Sequence, residues 1–289
     1  MSSPLHAKFY ADQAIQSTVE VTENVAMARD THRVRFRCPE IAARALPGQF
    51  VMLRLAGYND PLIGRPLAVY DVIQSPSGEP ESVDVIYLVK GKLTKRLEKI
   101  QPGQWLDVWG PLGNGFAPVA TKHLVMVAGG IGQTPFICLA KEHLGLQRFG
   151  KPSREPIRCD KITLCYGGRS ADLLAGIRDF ERLGVEVRIA TDDGSLGYHG
   201  LVTDVLSQVL AESDACQVVC CGPEPMMEAV AHVASAAKVP CRVSLETPMA
   251  CGIGICFTCV AKVRDASGEW DYKRTCVEGP VFDAALIDW

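Results

Sequence analysis

Over roughly the first 118 positions apolar and polar residues alternate in short bursts. VEVTENVAMA, THRVRFRC, QFVMLRL, PLAVYDVI and VDVIYLV are rich in Val and other strand formers, and alternation over so few residues predicts half-buried strands. Pro47-Gly48, Asp60-Pro61 and SPSGEPES from Ser75 to Ser82 punctuate them. Short strands at this spacing predict a small antiparallel barrel, with one helix inside it from Leu93 to Ile100.

Near His123 the pattern changes. HLVMVAGG reads as a buried strand, and a helix is predicted from Pro135. KITLCYGGRS, VEVRIATDDG and CQVVCCGPEP are apolar, β-rich runs that each lead into glycine. Helical stretches such as LVTDVLSQVLAE and PEPMMEAVAHVASAA separate them. Strand and helix alternating in this way predict a parallel doubly wound sheet from about 120 to 243. The tail from Leu245 to Trp289 is marked instead by cysteines. The expected division is 1–118, 119–243 and 244–289, with no internal repeat.

Composition narrows the class. The 289 residues are 47% hydrophobic and 22% charged, as in globular domains. A net charge of −3 offers no basic footprint for nucleic acid. The longest uncharged run, Leu124 to Ala140, is broken by Gly129, Gly130, Gly132 and Pro135, so it does not read as a membrane span. MSSPLHAKFYADQ at the start has no apolar core of a signal peptide, and a cytoplasmic location is expected. Of 12 cysteines, eight are scattered (Cys38, Cys138, Cys159, Cys165, Cys216, Cys220, Cys221 and Cys241). These read as free buried thiols, each a small hydrophobe.

The other four are different. Cys251, Cys256 and Cys259 are spaced C-x4-C-x2-C, and Cys276 follows after sixteen residues. This is the plant-type arrangement for a [2Fe–2S] cluster. Two bridged irons need four thiolates, and backbone N–H groups must turn toward the sulfurs to stabilise their negative charge. Gly252 and Gly254 permit the tight curl this requires. Zinc sites of four cysteines usually use two C-x2-C knuckles, and only Cys256 and Cys259 form one here. Zinc without sulfide would mark a structural interaction module instead.

GGIGQTP, with Gly129, Gly130, Gly132, Thr134 and Pro135, lies between a predicted strand and helix. Thr134 suits a helix cap and Pro135 a first helical position. Glycines let a pyrophosphate approach the backbone at a helix N-terminus, although a tight turn alone would also require them. Gly222 and Pro223 form a second such loop, and ligands of these sheets bind at the carboxyl ends of strands. Asp192 or Asp193, before Gly194, could accept from a ribose hydroxyl, and Arg169 could hold a 2′-phosphate. The choice between NADH and NADPH stays open. In the barrel, Arg65 ahead of Pro66 could reach a flavin diphosphate, and Thr94 at a helix start could bind phosphate.

The order barrel, RPLAV, GGIGQTP, YGGRS, CGPEPMM, C-x4-C-x2-C, CVEGPVFD resembles the electron-transfer subunit of class 1B dihydroorotate dehydrogenases. That family belongs to the ferredoxin–NADP reductase superfamily, and the likeness runs from about Val19 to the end, with GPLGNGF at the domain junction. The resemblance implies a ferredoxin-reductase-like fold: an antiparallel FAD barrel, a doubly wound NAD domain and a [2Fe–2S] module. It implies FAD on Arg65, Pro66, Leu67 and Ala68, on Ile86, Tyr87 and Leu88, and at Leu93 and Thr94. It implies Cys251, Cys256, Cys259 and Cys276 as cluster ligands. Ala68 replaces the family's serine, Leu93 its glycine and Leu88 its arginine.

The implied function is electron transfer between NAD(H) and an FMN-containing catalytic subunit that oxidises dihydroorotate, in a heterotetramer. No side chain of this chain need then act as acid, base or nucleophile. The alternative is the small subunit of another flavin and iron–sulfur oxidoreductase, of the ferredoxin:NADP or sulfide dehydrogenase kind. In those relatives the first ligand position is often Asp, whereas Cys251 stands here, while the ending FDAALIDW is like theirs.

Overall fold

The computed structural model describes residues 11–213, 216–265 and 267–289. The expectation about a signal peptide falls mainly on residues 1–10, outside the described residues. Strands β1 (Ile15–Ala28), β2 (Thr31–Arg37), β3 (Phe50–Leu55), β4 (Arg65–Gln74), β5 (Pro80–Leu88) and β6 (Trp105–Leu112) form the first unit. They close into a barrel in the order β1-β2-β5-β4-β3-β6, every neighbour antiparallel. Alternate residues face inward, so Val19, Val21, Val34, Phe36, Val83 and Val85 fill one continuous core. Helix α1 (Pro39–Arg44) covers one side. Helix α2 (Lys92–Leu97) is shorter than the predicted span to Ile100, because the chain tightens at its end, where Ile100 N donates to Leu97 O at 3.1 Å.

One charged group is buried in this barrel wall. Asp84 is 1% exposed and accepts from Arg35 Nε and an Arg35 terminal nitrogen at 2.7 and 2.8 Å. Removing the hydrogen-bonded partner of a buried charge leaves that charge largely uncompensated, with only Arg33 Nε, 3.6 Å from Asp84, remaining among the described residues. Arg35→Met is therefore expected to cost about 3 kcal/mol in urea unfolding. Arg37→Met, which breaks an exposed pair with Glu81, should cost less than about 1 kcal/mol. Equal effects would show that Asp84 draws little from its partner.

The second unit is a seven-stranded sheet with helices α3 (Phe136–His143), α4 (Ile177–Arg182), α5 (Val202–Ala211) and α6 (Glu224–Ala236). Its strands β7 (His123–Gly129), β8 (Lys161–Gly168), β9 (Glu186–Thr191), β10 (Tyr198–His199), β11 (Cys216–Cys221) and β12 (Cys241–Ser244) are all parallel. Strands added after β7 run first to one side through β8, β9 and β10, then to the other through β11 and β12. The order thus reverses at β7, which opens a crevice at the carboxyl ends of β7 and β11.

The tail contributes more to this sheet than its sequence suggests. It forms a hairpin of β13 (Val260–Arg264) and β14 (Trp270–Arg274), then β15 (Val281–Asp283). Strand β15 pairs antiparallel with β12, so the sheet is mixed at that edge and not parallel throughout. Asn114, in GPLGNGF, pins the arrangement by donating to Val281 O at 2.8 Å and accepting from Val281 N at 3.1 Å. Polar links tie barrel to sheet, among them Tyr70 donating to Asp179 at 2.7 Å and Lys141 to Asp71 at 2.6 Å. Among the described residues no helix is long and apolar enough to cross a membrane. All twelve cysteines are free, and of the eight scattered ones only Cys159 is not fully buried.

Candidate cofactor cavity and thiol loop

A cavity of about 610 Å³ opens between barrel, sheet and tail. Arg65, Pro66, Leu67 and Ala68 on β4, and Ile86, Tyr87 and Leu88 on β5, form its barrel wall. Thr134 and Pro135 meet them from the glycine loop after β7. Nine of the residues named from the sequence therefore share one lining.

The rest lie just outside it. Leu93 is 1% exposed, with its side chain in the barrel core. The Thr94 hydroxyl accepts from Lys90 N and Gly91 N, both at 3.0 Å, so it caps α2 from within. Its neighbour Lys90 lines the cavity instead. Asp193 is engaged with the Ser195 hydroxyl at 2.6 Å, which holds its carboxyl below the usual range.

The two glycine loops pack on each other. A Cβ on Gly132 would lie 2.2 Å from the Cys221 carbonyl oxygen and 2.8 Å from Gly222 Cα. One on Gly129 would lie 2.5 Å from Met226 Sδ and 2.8 Å from Pro223 Cδ. Gly129 and Gly132 are thus demanded by the seam between β7 and β11, whereas Gly130, at φ 55°, is demanded by its own backbone. The helix begins later than predicted. Gly130–Gln133 form a 3-10 turn, Pro135 is the cap and α3 starts at Phe136. The Thr134 side chain makes no capping bond, because Pro135 and not Thr134 holds the cap position.

Chain segments distant in sequence complete the cavity. Gly48 and Phe50 come from the barrel, Cys221 from β11, and Ser244 to Met249 lead from β12 toward the thiols. Sequence reasoning left these unassigned. The one available signal was that Cys221 stands directly before the Gly222-Pro223 loop.

Phe50 and Met249 face both ways, lining the cavity and belonging to the apolar cluster that includes Cys259 and Cys276. The thiol loop leans on the barrel there. Trp109 Nε1 donates to Cys251 O at 2.9 Å, and a Cβ on Gly252 would reach within 2.5 Å of Met52 Cγ. Gly252 and Gly254 both take left-handed φ, 74° and 82°. Donors turn inward on the sulfurs. Ile253 N lies 3.4 Å from Cys251 Sγ, and the Thr258 hydroxyl 3.1 Å from Cys256 Sγ.

Among the described residues no three His, Cys, Asp or Glu side chains gather as a single-ion site requires. The thiols associate two by two instead: Cys251 with Cys256, and Cys259 with Cys276. Hydrogen bonds from Thr258 bring the Cys256 thiol down to about 6. The Cys276 thiol, as donor, brings Cys259 down to about 6 and is itself pushed up. Four thiols in two pairs, two of them acidified and ringed by N–H and O–H donors, suit two bridged irons better than one zinc.

Models of known families match all three parts. The oxidoreductase FAD-binding domain covers 18–116, the oxidoreductase NAD-binding domain 126–232, and the iron-sulfur cluster binding domain of dihydroorotate dehydrogenase B 246–288. Barrel, sheet and thiol loop define a ferredoxin-reductase-like oxidoreductase of flavin, nicotinamide and iron–sulfur type. The chain is 34% identical over 264 residues to the dihydroorotate dehydrogenase B (NAD(+)) electron transfer subunit of Desulforamulus reducens, covering 91% of this chain and 94% of that one. It is 39% identical over 244 residues to that of Geobacillus kaustophilus, covering 83% and 86%. The chain belongs to the family of dihydroorotate dehydrogenase B electron transfer subunits.

Among solved structures, the NADH-dependent reduced ferredoxin-NADP oxidoreductase, described with flavin-based electron bifurcation, superposes with a TM-score of 0.76 at 29% identity. That match covers 94% of this chain and 90% of the other. The ferredoxin reductase in carbazole 1,9a-dioxygenase shares the fold, with a TM-score of 0.62 at 21% identity over 78% and 67%.

Proposed function

We propose that this chain carries electrons between NAD(H) and the FMN-containing catalytic subunit of a dihydroorotate dehydrogenase, as part of a cytoplasmic heterotetramer serving pyrimidine biosynthesis. The observation that carries the reading is the shared wall. Phe50 and Met249 touch both the cavity and the thiol core, so two redox groups can lie one side-chain layer apart. Flavin is the cofactor that takes a nicotinamide's two electrons together and releases them singly to an iron–sulfur cluster.

The chain's own residues then have distinct tasks. Arg65 is the cation for a flavin diphosphate, and the β4 and β5 backbones at 66–68 and 86–88 hold its ring. Leu93 and Thr94 belong to this site through their backbone only. Gly129, Gly130 and Gly132, with Thr134, Pro135, Gly222 and Pro223, form the nicotinamide dinucleotide crevice. Cys251, Cys256, Cys259 and Cys276 would hold the iron–sulfur cluster, which would pass electrons on one at a time. The division 1–118, 119–243 and 244–289 follows these tasks, although β15 returns from the last segment to the second unit's sheet.

The likeness to the NADH-dependent ferredoxin-NADP oxidoreductase favours a second reading, the same carrier serving a different flavoprotein. Affinity purification from the native source, with mass spectrometry of what co-purifies, decides between them. Recovery of a dihydroorotate dehydrogenase catalytic subunit in equal amount is the expected result. Recovery of a different flavoprotein instead would replace the first reading by the second.

A further inference from the structure

One large aromatic residue on the barrel's outer wall has no part in the cavity. In β6, Leu106 and Val108 point into the barrel core, so the strand period turns Trp109 outward. Met52 stands opposite it in the pairing of β3 with β6 and is likewise outside that core. These two side chains floor the thiol loop. Met52 takes the close contact at Gly252, and the Trp109 indole takes the polar one, donating from Nε1 to Cys251 O at 2.9 Å.

Among the described residues this is the only hydrogen bond from the barrel to segment 251–259. Other carbonyls of the loop are held from within the tail. Arg274 donates to Gly254 O at 2.9 Å, and the Thr275 hydroxyl to Cys259 O at 3.0 Å. The indole is also braced. A Cβ on Gly64, the residue before Arg65, would lie 2.7 Å from Trp109 Cη2. On its other side the ring packs on the apolar cluster that includes Cys259 and Cys276. A donor wedged in this way has little freedom to swing off its acceptor.

The bond matters because of where it falls. A trans peptide is planar, with its C=O and N–H on opposite sides. Holding Cys251 O on the barrel therefore turns the Gly252 N–H away from the barrel. Gly252, at φ 74°, starts the curl from that plane, and the next N–H, of Ile253, arrives 3.4 Å from Cys251 Sγ. Without the indole bond this first peptide can rotate, and the sulfur loses its donor. Reduction makes a thiolate-held cluster more negative, so N–H donors at its sulfurs favour the reduced form and raise its potential.

We infer that Trp109 is a positioning residue for electron transfer, whose indole N–H fixes the Cys251 peptide and so raises the reduction potential of the cluster held by these thiols. The inference rests on the reading of the four thiols as cluster ligands. One electron arrives from the flavin side, and no bond forms or breaks.

The test uses the holoprotein with FAD and cluster loaded, titrated anaerobically with dithionite. Electron paramagnetic resonance reads the cluster, and visible absorbance reads the flavin. Trp109→Phe keeps an aromatic ring and drops the donor. It should move the one-electron equilibrium between flavin and cluster about 10-fold toward the flavin, which is about 59 mV on the cluster's potential. The flavin's own potential should stay unchanged. Trp109→His returns a ring N–H and should bring the cluster's potential most of the way back. Iron and sulfide are counted in each sample. If the phenylalanine variant loses its cluster, retention by the histidine variant supports the inference, and loss in both overturns it. A phenylalanine variant with the wild-type potential overturns it too, as do equal shifts in the two variants, which would assign Trp109 to packing alone. A wild type that carries FAD but neither iron nor sulfide overturns the functional reading itself.

Discussion

Cys251→Ser is expected to abolish the electron paramagnetic resonance signal of the reduced [2Fe–2S] cluster while FAD absorbance persists. In the proposed ligand set Cys251 would be one of four thiolates and lies beside Cys256. Losing it would remove a quarter of the protein ligation of the cluster. Loss of an outer partner alone typically weakens a metal site by about 10- to 100-fold, and loss of a ligand should exceed this. The flavin wall is built from β4 and β5, which share no residue with the thiol loop. Electron delivery to the catalytic subunit should fall with the cluster signal. An undiminished signal in the serine variant would show that Cys251 is not a ligand.

Gly132→Ala should be the most damaging single-methyl change in the nucleotide crevice. The added Cβ would meet the Cys221 carbonyl carbon at 2.5 Å and its oxygen at 2.2 Å. Both are backbone atoms of a central strand and cannot rotate away. Relief requires the loops after β7 and β11 to part, and such overpacking typically costs about 1–3 kcal/mol. Parting them also spoils the crevice, so the KM for NADH should rise steeply, by more than about tenfold for a displacement worth 1.4 kcal/mol. Gly130→Ala provides the contrast. Its Cβ would meet open space, so only the left-handed backbone resists, at about 1 kcal/mol. Calorimetry and NADH kinetics on both variants check this. Equal losses would mean that the close contact at the seam costs Gly132→Ala no more than the left-handed backbone costs Gly130→Ala.

Much of this architecture is legible in the chain. Val83 and Val85 alternate with polar neighbours and point into the barrel. The glycine-ended strands do gather at the crevice, and the thiol loop does carry its two left-handed glycines. The start of α3 was less legible, because a 3-10 turn and an α-turn draw on the same residues. The packing of Gly132 against Cys221 decides between them. The Thr94 hydroxyl was less legible for a similar reason, since a hydroxyl that could face a phosphate caps its own helix when α2 is this short.

What the sequence determined alone is what short range can encode. That includes the strand period, the glycines ending strands, and the spacing that brings Cys251, Cys256 and Cys259 onto one loop. The tertiary structure decided which distant segments meet. Trp109 reaches Cys251, Glu246 faces Cys221, β15 completes a sheet begun at His123, and Met249 with Phe50 divides cavity from thiols. The reason is physical. A dihedral preference or a ligand spacing is fixed by neighbours along the chain. Contact across more than a hundred residues depends on how the barrel closes and the sheet reverses, and no local pattern carries that path.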